Sequence, residues 1–115
     1  MLPPRIPKKA KRASRWRSQA HLAFVRKHVC SMCGSATNIE AAHVRLGSGT
    51  GIGQKPDDYM AVSLCGGPNG CHAKQHSRGE LSFWKGFAIA DLIEAFIKAS
   101  PKRQEIDAIR KEREL

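Results

Sequence analysis

Residues 30–33 read CSMC and residues 65–76 read CGGPNGCHAKQH, and these two stretches decide the fold. They place four cysteines in two pairs that a long segment of chain separates. Two such pairs can close one tetrahedral metal site, because each turn directs two sulfurs inward and the intervening chain folds back. The second pair has the spacing C-x5-C, which is wider than the usual C-x2-C but still lets both sulfurs reach one ion. We therefore expect one structural zinc, with disulfides or free thiols as the alternative, held by Cys30, Cys33, Cys65 and Cys71.

The composition bounds the size and the compartment of the chain. Its 115 residues, 41% of them hydrophobic, suffice for one modest core, which a bound metal would help to stabilise. The start of the sequence has no apolar run long enough for a signal peptide or a membrane span, so we expect a cytoplasmic protein with no membrane partner. Cysteines in the reducing cytosol favour metal binding over disulfides.

The net charge of +10 lies in the part of the chain that carries the cysteines and histidines. Residues 1–78 hold 13 Lys and Arg against 3 acids, while residues 79–115 hold 7 of each and cancel. A positive field of this density attracts polyanions, of which nucleic acid is the commonest. Residues 1–17, rich in Pro, Lys and Arg, are expected to form a disordered arm that orders on a phosphate backbone, with a solvated tail as the alternative.

Capping residues, turns and apolar periodicity divide the remaining sequence into short elements. We expect a zinc-bound domain over 18–99 with a glycine-rich connector between two antiparallel strands, followed by a charged tail or surface helix over 100–115. The expected elements are a helix from Ser18 to about Lys27, strands over 39–45 and 59–64, a helix over 71–77, and one long or two short helices over 80–99. The last stretch carries an apolar stripe expected to be core: Leu81, Trp84, Phe87, Ile89, Leu92, Ile93, Phe96 and Ile97.

The order of these pieces is thiol pair, strand ending in His43, glycine loop, strand, thiol pair, and a helix that presents His72 and His76 on one face. This α+β layout, a small ββα-metal (His-Me finger) core knotted by zinc and flanked by helices, resembles the HNH endonuclease superfamily over roughly residues 18–87. The likeness is to small phage-borne or prophage-borne HNH proteins related to recombination-enhancing nucleases. It is carried by Cys30-x2-Cys33, Glu40–Arg45, Lys55–Asp58, Met60–Cys65, Cys71–His76 and Gly79–Trp84.

The resemblance implies a division of labour at a phosphodiester bond. Cleavage needs a base that activates water and a cation that neutralises charge on the phosphate and the leaving oxygen. His43 on its strand would be the base, and His72 and His76 would present a catalytic divalent ion, Mg²⁺ or Mn²⁺, from the helix opposite. The middle position of the family's motif falls on Asp58, with Asp57 as the alternative, where it would orient His43 or join the metal.

One position departs from the family's pattern. Many HNH enzymes carry an acid or a histidine just before the base as a metal ligand, and this chain has Ala42 there. The ion would then rely on water and the substrate phosphate, which suits Mg²⁺ or Mn²⁺ because these ions retain waters readily.

The leading hypothesis is a metal-dependent DNA endonuclease or nickase in the cytoplasm or nucleoid of a bacterial host, with a recombination or phage protein as a further partner. The alternatives are a zinc-knotted DNA-binding accessory protein without catalysis and a protein that acts on RNA, the less favoured polymer. Three basic residues beside the proposed cleft are expected to contact DNA phosphates or to remain solvated surface: Arg45, Lys74 and Arg78.

Overall fold

The computed structural model describes residues 15–46 and 55–113. The predicted arm up to residue 14 and most of the predicted glycine-rich connector, residues 47–54, lie outside the described residues. The predicted order of elements is confirmed, and the stretch 80–99 contains two short helices rather than one long helix. In chain order the elements are α1 (Gln19–Arg26), β1 (Ile39–His43), β2 (Ala61–Cys65), α2 (Cys71–Arg78), α3 (Glu80–Phe83), α4 (Ile89–Ala99) and α5 (Arg103–Arg113).

The two strands pair antiparallel, with Glu40 opposite Leu64 and Ala41 opposite Ser63. Because successive side chains of a strand point to opposite faces, each pair marks one face of the sheet. The Glu40 carboxylate contacts α2, whereas the Ser63 hydroxyl donates to the carbonyl oxygen of Val29, just after α1. The sheet therefore lies between α1 and α2. Alternate residues of β1 face alternate helices, so Glu40 and Ala42 face α2 and Ala41 and His43 face the opposite side.

The face of the sheet toward α2 is buried in the core. Ala42 and Val44 from the first strand segment and Val62 and Leu64 from β2 are all fully buried. Trp84, at the end of α3, packs into the same core cluster together with residues of α4 and α5. A two-stranded sheet is marginal on its own in water, so these helices supply the apolar surface that it needs.

Residues 15–17, which the sequence placed in the arm, belong to the fold. Trp16 is only 7% exposed, its backbone N–H donates to Asp57 Oδ1 at 2.6 Å, and its indole N–H donates to Glu105 Oε1 of α5 at 3.0 Å. Placing residues 15–17 in a disordered arm was therefore wrong, because the aromatic ring of Trp16 is buried. Ser18 caps α1 as predicted, its hydroxyl accepting from the backbone N–H of the third helical residue at 3.2 Å.

The C-terminal helices bury part of the predicted apolar stripe. Leu81 and Phe87 are 79% and 50% exposed, so including them in the core was wrong. The chain leaves α3 after Phe83 and turns at Gly86, where φ is +86°, so Leu81 and Phe87 do not share one continuous helix with the rest of the stripe. α5 is anchored by Ile106, which is fully buried. None of the helices among residues 15–46 and 55–113 combines the length and the apolar character that a membrane span requires.

Gly70 provides a test of how the chain enters α2. A Cβ atom at Gly70 would lie 2.2 Å from the carbonyl oxygen of Gly66 and 2.5 Å from that of Cys65, and backbone atoms cannot swing aside. Gly70→Ala is therefore expected to lower the free energy of unfolding by about 1–3 kcal/mol, measured by chemical denaturation. Asn69→Ala, at the exposed neighbouring position, is the control and should change it by less than about 0.5 kcal/mol. Equal stability of the two variants would contradict this packing.

Candidate functional site

The sulfurs of the four cysteines lie together at one end of the sheet. All four are free thiols, their Sγ atoms lie within 4.8 Å of one another, and Cys33 Sγ is 3.7 Å from Cys65 Sγ. Zinc–sulfur bonds of about 2.3 Å in a tetrahedron place neighbouring sulfurs about 3.8 Å apart. The predicted thiol pairs therefore converge, and the donor set fits a single structural metal ion such as zinc.

Local backbone geometry brings each thiol pair together. The first pair sits on a turn in which the N–H of Gly34 donates to the carbonyl of Cys30 at 2.9 Å, and φ of Gly34 is +78°, a conformation that favours glycine. In the second pair, Cys71 is the first residue of α2, and its backbone N–H donates to Cys65 Sγ at 3.3 Å. The start of a helix therefore closes the wide C-x5-C spacing.

The thiols differ in their tendency to ionise. Burial opposes ionisation of Cys30, but hydrogen bonds from the backbone N–H groups of Cys33, Cys65 and Met32 outweigh it and lower the pKa of Cys30 to about 6. Burial raises the pKa of Cys71, and its hydrogen bonds to the neighbouring thiols raise that pKa further. Four sulfurs this close repel one another as thiolates, and a divalent cation among them would relieve that repulsion.

A histidine–carboxylate pair lies at the other end of the sheet. His43 Nε2 is 2.9 Å from Asp58 Oδ1, and the Asp58 side chain is only 4% exposed. The carboxylate also accepts the backbone N–H of Ser18 at 2.8 Å and the guanidinium of Arg17 at 3.2 Å. Asp58 is therefore held rigidly against His43.

Asp57, the alternative for the middle position, faces different partners. It binds the backbone N–H of Trp16 and the guanidinium of Arg113 at 2.7 Å. Burial opposes ionisation of Asp57, but the hydrogen bonds from Arg113 and Trp16 outweigh it and hold the pKa of that carboxyl below its usual range. Of the two predicted candidates, Asp58 is the one that contacts His43.

The second histidine pair lies on α2. The ring centroids of His72 and His76 are 5.0 Å apart, and His72 Nδ1 is 2.9 Å from Glu40 Oε1. Between the two histidines, Gln75 is buried, accepts the indole N–H of Trp84 at 2.7 Å and donates to the carbonyl of His43 at 3.3 Å. These bonds dock α2 on the end of β1, so both histidine pairs belong to one region of the fold.

The two pairs nevertheless lie on different faces of β1. His43 is three residues from Glu40, so its side chain lies on the face of β1 opposite the one toward α2. The His43 ring contacts Asp58 instead. Across residues 15–46 and 55–113, the four cysteines are the only group of three or more histidine, cysteine or carboxylate ligands close enough to hold one ion. Asp58 therefore does not meet His72 and His76 in one metal site in this structure. That ligand set stays a prediction.

Two residues at the site were missed by sequence reasoning. Arg17 was counted as part of the arm, and Glu40 was taken only as part of a strand. Glu40 and Ala42 are two residues apart in the predicted strand and so share one face, and Ala42 is the position that lacks a ligand. This was the one sequence signal that could have identified Glu40. The three predicted phosphate-contacting residues, Arg45, Lys74 and Arg78, are all exposed, and the backbone N–H of Arg45 donates to the Glu80 carboxylate at 2.8 Å.

Comparison with known proteins yields one family. Residues 3–86 match the model of a family described as a protein of unknown function, DUF968. No curated protein and no solved structure matches the chain.

The thiol cluster predicts about one tightly bound zinc per chain, measurable by elemental analysis of the purified protein. Cys33→Ser should lose this zinc and lower the melting temperature strongly, because metal binding contributes directly to the folding free energy of such a domain. Cys33 is exposed, so the change leaves no cavity in the core. His76→Ala, outside the thiol cluster, should retain the zinc. A Cys33→Ser protein with unchanged zinc content and melting temperature would refute the assignment.

Proposed function

This chain belongs to the DUF968 family, whose function is unknown, and we propose that it is a metal-dependent DNA endonuclease or nickase of the HNH type. The observation that carries the proposal is the 2.9 Å contact between His43 Nε2 and the buried Asp58 carboxylate. In this contact His43, the expected base, meets Asp58, the residue expected at the middle position of the HNH motif.

The contact fixes the protonation pattern that a base requires. An ionised carboxylate accepts hydrogen bonds and cannot donate them, so His43 carries its proton on Nε2 and presents a lone pair on Nδ1. The imidazole side chain is 20% exposed, which leaves it open to a water molecule. His43 then takes a proton from that water as it attacks phosphorus, and Asp58 stabilises the imidazolium that forms.

His72 and His76 on α2 are the residues of this chain that would hold the catalytic divalent ion. They are one helical turn apart with ring centroids separated by 5.0 Å, and imidazole nitrogen binds divalent transition metals well. Because His43 lies on the other face of β1, the substrate would have to pass the end of this strand to meet both the base and the ion. An ion held there would then neutralise charge on the phosphate and on the departing 3′-oxygen. Ala42 lies on the α2 side of the strand and adds no ligand, so water and substrate oxygens would have to complete the coordination.

Basic residues near His43 support a nucleic acid substrate. The guanidinium of Arg17 lies 3.2 Å from the same Asp58 oxygen that His43 contacts, and the Arg17 side chain is 46% exposed. Residues 1–14, which lead into this point, hold five further Lys and Arg and no acid. Such a run contacts phosphates without reading sequence, so we propose low sequence specificity. A phage or recombination protein stays a predicted partner.

One observation favours a second candidate, a zinc-knotted DNA-binding accessory protein without catalysis. Within the described part of the chain, no second group of three metal ligands accompanies the cysteines, and Ala42 stands where HNH enzymes often have a ligand. Such a binder would have the thiol cluster and the basic charge, but it would not need a histidine held against the buried Asp58 carboxylate. The endonuclease is therefore the proposal that accounts for more of the site.

Loss of the base is the direct test of catalysis. His43→Ala should lower the nicking of supercoiled plasmid in Mg²⁺ or Mn²⁺ by about 10²-fold or more, because general-base catalysis is typically worth about 10²–10⁴. Zinc content and DNA affinity should stay near wild type. His28→Ala, at an exposed histidine whose Nδ1 contacts a backbone carbonyl of α1 and whose ring packs against Phe24 and Phe96, removes an imidazole outside the proposed site; it is the control and should cleave normally. Wild-type protein that nicks no faster than His43→Ala would leave the accessory protein as the better proposal.

Deletion of residues 1–14 tests the predicted basic arm. The deletion ends at residue 14 because Trp16 is buried. Deleting residues 1–14 should weaken DNA binding about equally across sequences and reduce the slope of log affinity against log salt by about 0.9 for each phosphate that the arm neutralises. Lys98→Gln, on the exposed surface of α4, should leave the slope unchanged. A truncated protein with the full salt slope would exclude residues 1–14 from phosphate binding.

A further inference from the structure

We propose that Glu40 is a positioning residue that prepares His72 to bind a divalent cation through its Nε2 atom. This inference rests on the proposed function, since it concerns the same histidine pair on α2. It assigns a role to a residue that belongs neither to the thiol cluster nor to the pair of His43 and Asp58.

The hydrogen bond sets the tautomer of the imidazole. His72 Nδ1 lies 2.9 Å from Glu40 Oε1, and because the carboxylate can only accept, Nδ1 carries the proton. The lone pair is then on Nε2, on the far side of the ring, where it is available to a cation. Metal-binding histidines usually donate their other N–H to a carboxylate or a carbonyl, which fixes the ring and makes the ligating nitrogen more basic.

Stability alone does not account for this contact. The His72 and Glu40 side chains are 26% and 48% exposed, and even a full ion pair this open to solvent would contribute only about 0–1 kcal/mol. Orientation of a ligand, by contrast, requires only that the ring be held in place.

The backbone beside Glu40 is shaped to admit its carboxylate. A Cβ atom at Gly66 would lie 2.6 Å from both Cδ and Oε1 of Glu40, so any side chain at position 66 would displace the carboxylate from His72. Gly66 itself is fixed, because its N–H donates to the carbonyl of Asn38 at 2.7 Å. The glycine therefore leaves space that the carboxylate fills.

The parity of β1 explains why position 40 can serve this role. Glu40 and Ala42 lie on the same face of the strand, the face toward α2. Ala42 contributes no ligand, and Glu40 acts from the same face through His72. His76 lies on the same side of the helix with its ring centroid 5.0 Å from that of His72. Imidazole nitrogens bind divalent first-row transition metals, and Mn²⁺, one of the two ions predicted for this site, serves as the probe because it is paramagnetic.

The experiment measures Mn²⁺ affinity directly, by loss of the free-ion electron paramagnetic resonance signal on titrating full-length, zinc-loaded protein. Glu40→Gln keeps the size of the side chain but weakens the acceptor, and it should raise the Kd for Mn²⁺ by about 10- to 100-fold. Gly66→Ala should raise it as well, because it displaces the carboxylate. Glu112→Gln, an exposed acid on α5, is the matched control and should bind Mn²⁺ like wild type. Zinc content, measured on every variant, confirms that the thiol cluster is intact.

A double-variant cycle separates positioning from a general loss of charge. In a His72→Ala background, Glu40→Gln should have no further effect on Mn²⁺ affinity, because the ring it positions is gone. Equal Mn²⁺ affinity of Glu40→Gln and wild type, or an undiminished Glu40→Gln effect in the His72→Ala background, would overturn the inference. So would a wild-type protein that binds no Mn²⁺. The plasmid assay decides the endonuclease proposal separately, so a protein that nicks DNA with unaltered Mn²⁺ affinity in Glu40→Gln would lose only this inference.

Discussion

The convergence of four thiols on one point is the constraint on which the rest of this small structure depends. The sulfurs come from the turn after α1, the end of β2 and the first residue of α2, so one ion at their centre would fix both helices against the sheet. A two-stranded sheet has too little apolar surface to impose that arrangement by itself. The position of α2, and hence of its two histidines relative to β1, therefore depends on the thiol cluster.

The far end of the sheet depends on a different interaction, the burial of adjacent carboxylates. Asp57 and Asp58 are each 3% exposed, and burying such groups is costly unless they are hydrogen-bonded and paired with charges. The segment before α1 supplies backbone N–H groups and the guanidinium groups of Arg15 and Arg17, and the end of α5 supplies a third guanidinium. The bonds that satisfy Asp58 also hold its carboxylate against His43. The contacts that make burial of Asp58 possible are therefore also contacts of the candidate site.

Much of this arrangement follows from local sequence rules. Thiol spacing predicted the metal cluster, the spacing of four placed His72 and His76 on one helix face, and Ser18 capped α1 as expected. What local rules could not predict depends on contacts across the fold. Whether Asp57 or Asp58 meets His43 is decided by how residues 55–60 turn against the chain before α1. The burial of Trp16, the exposure of Leu81 and Phe87, and the contact of Glu40 with His72 depend likewise on neighbours distant in sequence.

The central claim is that His43 and Asp58 act as one unit in cleaving DNA, and a double-variant comparison of plasmid nicking rates tests it most directly. Residues that act as a unit give strongly non-additive losses. We therefore expect Asp58→Asn and His43→Ala each to slow nicking severely, and the protein carrying both changes to be no slower than the slower single variant. Losses that multiply in the double variant, or a wild-type protein that does not nick DNA with zinc bound and Mn²⁺ present, would contradict the account.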